Sequence, residues 1–241
     1  MKRTRPCALK RATHLACLVA CLGAALPASA GYTTVDLPTL NTNIGLWTDG
    51  AVYESIFPGL HLWNGVPFEL AEDAGGNKAF FGARNVPMDI PVGVFGVTEA
   101  YTIINTYRGY AGFTAGSIEF FGSGGAYQLV NLVEGINVAD HYWGDWNNVI
   151  DGTNAMLAWS VPNHGSHLDM QIHHLTADFA DETLATIRFT NKGFGNLGQP
   201  FIAAATVYSA VSVPEPATGA MLLAGMGVLG LLWRRLGRQG A

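Results

Sequence analysis

HLDMQIH, residues 167–173, alternates without a break: Leu168, Met170 and Ile172 fall on one side, and His167, Asp169, Gln171 and His173 on the other. Side chains of a strand point alternately to its two faces, so this period of two predicts a strand with its apolar face buried and its polar face wet. LATIRFT (184–190) repeats the pattern, with Ala185, Ile187 and Phe189 on one face and Thr186, Arg188 and Thr190 on the other. YTIINTY (101–107) is β-branched and aromatic with no helical period, and residues 201–208 predict a last strand. Segments 117–121 and 127–133 are joined by GSGGA (122–126), whose glycines suit a hairpin turn. Short strands punctuated by Gly and Pro, with no long amphipathic helix, predict an all-β protein: one β-sandwich over residues 31–210.

That body has 180 residues, ample for one core, and must rely on it, because all three cysteines (Cys7, Cys17, Cys21) precede residue 31. It carries five basic residues (Lys78, Arg84, Arg108, Arg188, Lys192) against 17 acidic ones, a net charge of −12. Such a surface repels phosphate backbones, which argues against nucleic acid and leaves Ca²⁺ or a neutral polysaccharide as the better-fitting partners.

Both ends differ from the body. Residues 1–11 are basic, residues 12–27 are mostly apolar, and Ala28 and Ala30 are the small residues at −3 and −1 of a signal peptidase site before Gly31. Residues 1–30 are therefore expected to be a secretory signal peptide; Cys21, behind Leu18-Val19-Ala20, is an alternative lipidation site. At the other end, Pro214-Glu215-Pro216 precedes 17 uncharged residues, 217–233, followed by Arg234, Arg235 and Arg238. As a helix that run would be about 26 Å long, enough for a thin bilayer, and the arginines would hold the C-terminus in the cytoplasm.

The densest polar and aromatic patch is DHYWGDWNNVIDGTN (140–154). Indole faces stack on the C–H faces of sugars while carboxylates and amides meet hydroxyls, so Tyr142, Trp143, Asp145 and Trp146 are the candidate sugar-binding residues. Trp146 is the expected contact and Trp143 the expected core residue. The oxygens of Asp140, Asn147, Asn148, Asp151 and Asn154 would equally suit Ca²⁺, the only cofactor the set admits. His164 with His167, and His167 with Asp169, offer pairs of donors for a metal, but the third ligand would have to come from another strand that the sequence does not name, so no metal site is assigned. No nucleophile-elbow, zinc-protease or phosphate-loop pattern occurs, which predicts a non-enzyme.

Two resemblances add expectations. GVPFEL (65–70), residues 86–109 and residues 117–144 resemble the galactose-binding-like jelly rolls, with 135–140 (GINVAD) as the last motif and Trp143 one place beyond the family's tryptophan. That implies eight or nine strands and carbohydrate or calcium binding. The tail 211–241, with its Pro-Glu-Pro, apolar run and Arg234-Arg235, resembles the PEP-CTERM sorting tail of Gram-negative bacteria. It implies recognition by exosortase, a membrane transpeptidase. The chain would pass through the inner membrane and be delivered to the envelope, the outer surface or an extracellular polysaccharide matrix. The expected role is structural, in association with exopolysaccharide. A carbohydrate- or calcium-binding adhesin and a secreted hydrolase are the alternatives.

Overall fold

A computed structural model describes residues 31–47 and 50–210. The signal-peptide expectation (1–30, with Ala28 and Ala30) and the sorting tail (211–241, with the span 217–233) lie outside the described residues. Among those described, no helix is long and apolar enough to cross a membrane.

The described chain is all-β, with three short 3₁₀ turns. Its strands are β1 (Gly31–Val35), β2 (Gly59–Trp63), β3 (Val66–Leu70), β4 (Pro87–Phe95), β5 (Val97–Tyr107) and β6 (Thr114–Gly122). They continue with β7 (Tyr127–Val133), β8 (Ala155–Ser160), β9 (His167–His174), β10 (Thr183–Asn191) and β11 (Gln199–Ser209). One sheet runs β1-β11-β5-β9-β8, a second runs β4-β10-β6-β7, and β2 and β3 form a hairpin of their own. The two larger sheets share a core in which Ala100, Ile104, Ile202 and Val207 of the first meet Ile90, Ile118, Phe120, Ile187 and Phe189 of the second.

A second core lies on the opposite face of the five-stranded sheet. Tyr101, Ile103, Leu168, Met170 and Phe201 pack there beneath Val66, Phe68 and Leu70 of the hairpin and Ile44 and Tyr53 of the 3₁₀ turns. The architecture is thus two facing sheets with a third, partial layer outside one of them. The hairpin turns at Asn64-Gly65, both with positive φ (50° and 83°), the backbone that an Asn-Gly pair adopts at low cost.

The extra layer reverses one expectation. The His167, Asp169, Gln171 and His173 face of β9 is not wet: these residues are 0–3% exposed. The hairpin covers the apolar face, so the polar face turns toward the other sheet, and the His173 ring lies 5.3 Å from that of Phe120. Buried polar groups need partners, and β5 supplies them. Thr102 Oγ1 donates to Gln171 Oε1 (3.2 Å) and lies 3.1 Å from His173 Nε2, while Gln171 Nε2 donates to the Ile104 carbonyl at 2.7 Å. Asn105 clasps Asp169, with Nδ2 donating to its carboxylate at 2.8 Å and Oδ1 accepting its backbone N–H at 2.9 Å.

A smaller correction concerns β10, where Leu184 rather than Ala185 joins Ile187 and Phe189 in the core. A bulge between Leu184 and Thr186 shifts the register against both neighbouring strands, so the alternation changes phase there. Beyond it Thr186, Arg188 and Thr190 lie on the outer face as their spacing predicts.

Candidate functional site

The loop from Asp140 to Asn154 is held from below by buried acids. After β7 the chain turns so that Glu134 and Asp140 reach the end of β5. Asp140 Oδ2 accepts the backbone N–H groups of Arg108 and Gly109, and Oδ1 accepts that of Tyr142 at 2.9 Å. Glu134 accepts a hydrogen bond from Thr106 Oγ1 and another from Asn147 Nδ2 at 3.0 Å. A Cβ on residue 109 would overlap the Glu134 carboxylate, so only glycine leaves the acid room. Backbone bonds from Asn147 N–H to the Gly109 carbonyl (2.9 Å) and from Asp140 N–H to the Asn147 carbonyl (2.8 Å) complete the stitching.

Three carboxylates, Glu134, Asp140 and Asp169, are thereby 1–2% exposed and interact electrostatically. Burial, with the nearby Asp140 and Asp169 charges, pushes the Glu134 carboxyl up to about 7 against the Thr106 and Asn147 hydrogen bonds. Burial raises Asp140 as well, opposed by its three backbone donors. Next to them His141 is lowered to about 4, by burial and the neighbouring His167. Tyr53 is fully buried, with Oη 3.2 Å from His141 Nδ1, and its acidity is suppressed by burial. His167 Nε2 lies 3.5 Å from Asp169 Oδ2.

The candidate sugar-binding residues stand above this cluster. Trp143 is 43% exposed, with its ring stacked on that of His167 at 5.1 Å and its backbone N–H donating to the Gly165 carbonyl. Expected in the core, it instead lies at the surface, as does Trp146 at 38% exposure. Asp145 is exposed, and Tyr142 is half-buried with its ring flat against Gly165, where a Cβ would overlap it. Many of the loop's oxygens are already engaged by the chain. Asp140 and Asn147 point inward as described, and Asp151 accepts the N–H groups of Thr153 (2.8 Å) and Asn154 (2.7 Å) and the Asn154 side-chain amide (2.6 Å). Among the described residues no three His, Asp or Glu side chains converge to hold a metal.

Glu134, Thr106, Asn105 and Gly109 escaped the sequence analysis. Only Glu134, an acid directly after a strand in a chain with few bases, carried a signal there. Chemically, the buried acids fasten the loop; the groups open to a ligand are the indoles of Trp143 and Trp146 and the Asp145 carboxylate.

No curated protein matches the chain. Residues 212–236 match the PEP-CTERM protein-sorting motif, a stretch that contains Pro214, Glu215, Pro216, Arg234 and Arg235. The chain is thus an exported protein carrying a C-terminal PEP-CTERM sorting signal of the kind exosortase recognises.

Proposed function

We propose that exosortase removes the tail and delivers the body to the envelope or extracellular matrix, where it serves a structural role in association with exopolysaccharide. The sorting motif carries this reading. It begins at residue 212, three residues after β11 ends at Ser209, and β11 lies between β1 and β5 in its sheet. A cut beyond Ser209 therefore leaves every strand in place.

The topology supports a jelly-roll body. Setting aside the β2–β3 hairpin and edge strand β8, the remaining eight strands taken in chain order lie 1-8-3-6 in one sheet and 2-7-4-5 in the other, which is jelly-roll connectivity. A non-catalytic role fits the acid cluster, whose carboxylates are buried and spent on the chain's own donors. We invoke no bound cofactor, since the Asp151 oxygens that suit Ca²⁺ already accept from the loop.

Sorting is tested by Glu215→Ala and Pro216→Ala. Both are expected to leave uncut protein in the inner membrane, and processing at the wild-type rate would overturn the reading. Deleting residues 214–241 is expected to release soluble protein; continued membrane retention would place the anchor at Cys21.

A further inference from the structure

The five cations of the body are not evenly placed. Lys78 is buried between Glu54 at 3.2 Å and Glu72 at 3.3 Å. Arg188 is bound at two points to Asp89, with Nε–Oδ1 2.6 Å and Nη2–Oδ2 2.9 Å. Arg84, Arg108 and Lys192 hold no ion pair with a described carboxylate. Arg84 and Arg108 border the turn between β10 and β11, and Lys192 is the first residue of that turn. Arg84 lies 5.1 Å above the ring of Phe194 in that turn, and Lys192 precedes Phe194 by two residues. Arg108 lies 4.9 Å above the Tyr107 ring, and its carbonyl accepts the N–H of Gly198 at 3.0 Å.

An open cleft of about 420 Å³ lies at this same end, lined by the half-buried rings of Trp47, Phe81 and Tyr107 and by Thr42, Asn196 and Gln199. The fold assembles it from distant segments. Gln199 pairs with Tyr107 across β11 and β5, and residues 41–42 are tied to 79–81 by backbone bonds and by Asn41, whose amide both donates to and accepts from Phe81. Trp47 is set edge-to-face against Phe81 (5.7 Å, 81°) and Phe201 (5.3 Å, 83°), so its plane is fixed before a ligand arrives.

We propose that this cleft, rather than the loop 140–154, binds polysaccharide, and that the polysaccharide is acidic, rich in uronate or similarly carboxylated sugars. Aromatic rings take the C–H faces of the sugars, Asn196, Gln199 and Thr42 meet hydroxyls, and Arg84, Arg108 and Lys192 take carboxylates. A polyanion is repelled by a body of charge −12 everywhere except where unpaired cations gather, so the same distribution that attracts it also sets its docking point. This rests on the polysaccharide-associated role proposed above, and names its site and ligand class.

The test uses the processed protein as recovered from the envelope or matrix, with polygalacturonate, dextran and duplex DNA as probes. Polygalacturonate is expected to bind with an affinity that falls as salt rises, and dextran at least about tenfold more weakly. The combined Arg84→Gln, Arg108→Asn, Lys192→Gln variant is expected to lose about tenfold or more and to flatten the salt dependence. Asn is chosen at 108 because the residue has φ 60°, which Asn tolerates. Trp47→Ala is expected to weaken binding at all salt concentrations, scored against its melting temperature because the ring also packs on Phe201. Unchanged binding in the triple variant, DNA binding as tight as that of polygalacturonate, or loss of binding through Trp146→Ala alone would each overturn the site. Retention of the triple variant in the envelope and matrix at the wild-type level overturns the site and leaves the broader role standing; a wild-type chain absent from both envelope and matrix overturns both.

Discussion

β9 and β10 are written in nearly the same alternating code and end in different surroundings. On β10 the polar face is partly open, and Arg188 reaches out to Asp89. On β9 the polar face is closed inside, with Asp169, Gln171 and His173 each held by a partner on β5. A period of two says that a strand has two unlike faces; it does not say which of them meets water. That is decided by what else covers the sheet, and here the β2–β3 hairpin covers the apolar side of β9.

The sharpest way to break this contrast is to empty or unpair each face in turn and follow unfolding in denaturant. On the apolar face of β10, Phe189→Ala opens a cavity in the core between the sheets and is expected to cost about 3–5 kcal/mol. On the inner polar face of β9, Asp169→Ala strands the Asn105 amide and is expected to cost about 1–3 kcal/mol, the range for a buried polar group losing its partner. A cost near zero would show that water reaches this face. Outer-face Arg188→Ala is expected to cost less than Asp169→Ala, because its ion pair with Asp89 is exposed to water and screened by it. Equal costs for Asp169→Ala and Arg188→Ala would erase the distinction between the strands.

The buried titrating groups sharpen it further, through the pH dependence of stability. His141 and His173, neutral in the fold with values of about 4 and about 3 against 6.5 unfolded, bind fewer protons folded than unfolded, so stability rises with pH up to about 6.5. Glu134 acts in the opposite sense. Raised to about 7 from 4.5, it is protonated more in the fold, so its contribution is present below pH 4.5 and is lost as pH rises toward 7. Glu134→Gln changes stability by a fixed offset but removes this loss, so the variant is expected to gain on wild type between pH 4.5 and 7. A difference that does not change with pH would place Glu134 in contact with water.

Much of the fold was legible because periodicity and turn chemistry are local. Strands β5, β9, β10 and β11 and the β6–β7 hairpin follow from alternation and from GSGGA. The β2–β3 hairpin was not read, although its Asn64-Gly65 turn is flanked by apolar residues, and nothing local says which sheet face such a hairpin covers. Proline at 87 and 91 obscured β4, which is an edge strand where proline is tolerated.

The candidate site was less legible for the same reason. Asp140 and Asn147 have the composition of ligand donors, and only the path of β5 beneath them shows that they serve the loop. The cleft joins Trp47, Phe81 and Tyr107, spread over 60 positions, to Asn196, 89 positions beyond Tyr107, a separation no spacing rule covers. By contrast the sorting motif is contiguous, so its match at 212–236 coincides with what its residues announce.

That contiguity makes the central claim directly measurable. Intact mass of the protein recovered from the matrix of cells with and without exosortase tests sorting, cutting and delivery together. A species beginning at Gly31 and lacking the apolar segment 217–233, present only when exosortase is present, is the predicted result. An intact tail on matrix protein, or the same species in both cell types, would contradict it.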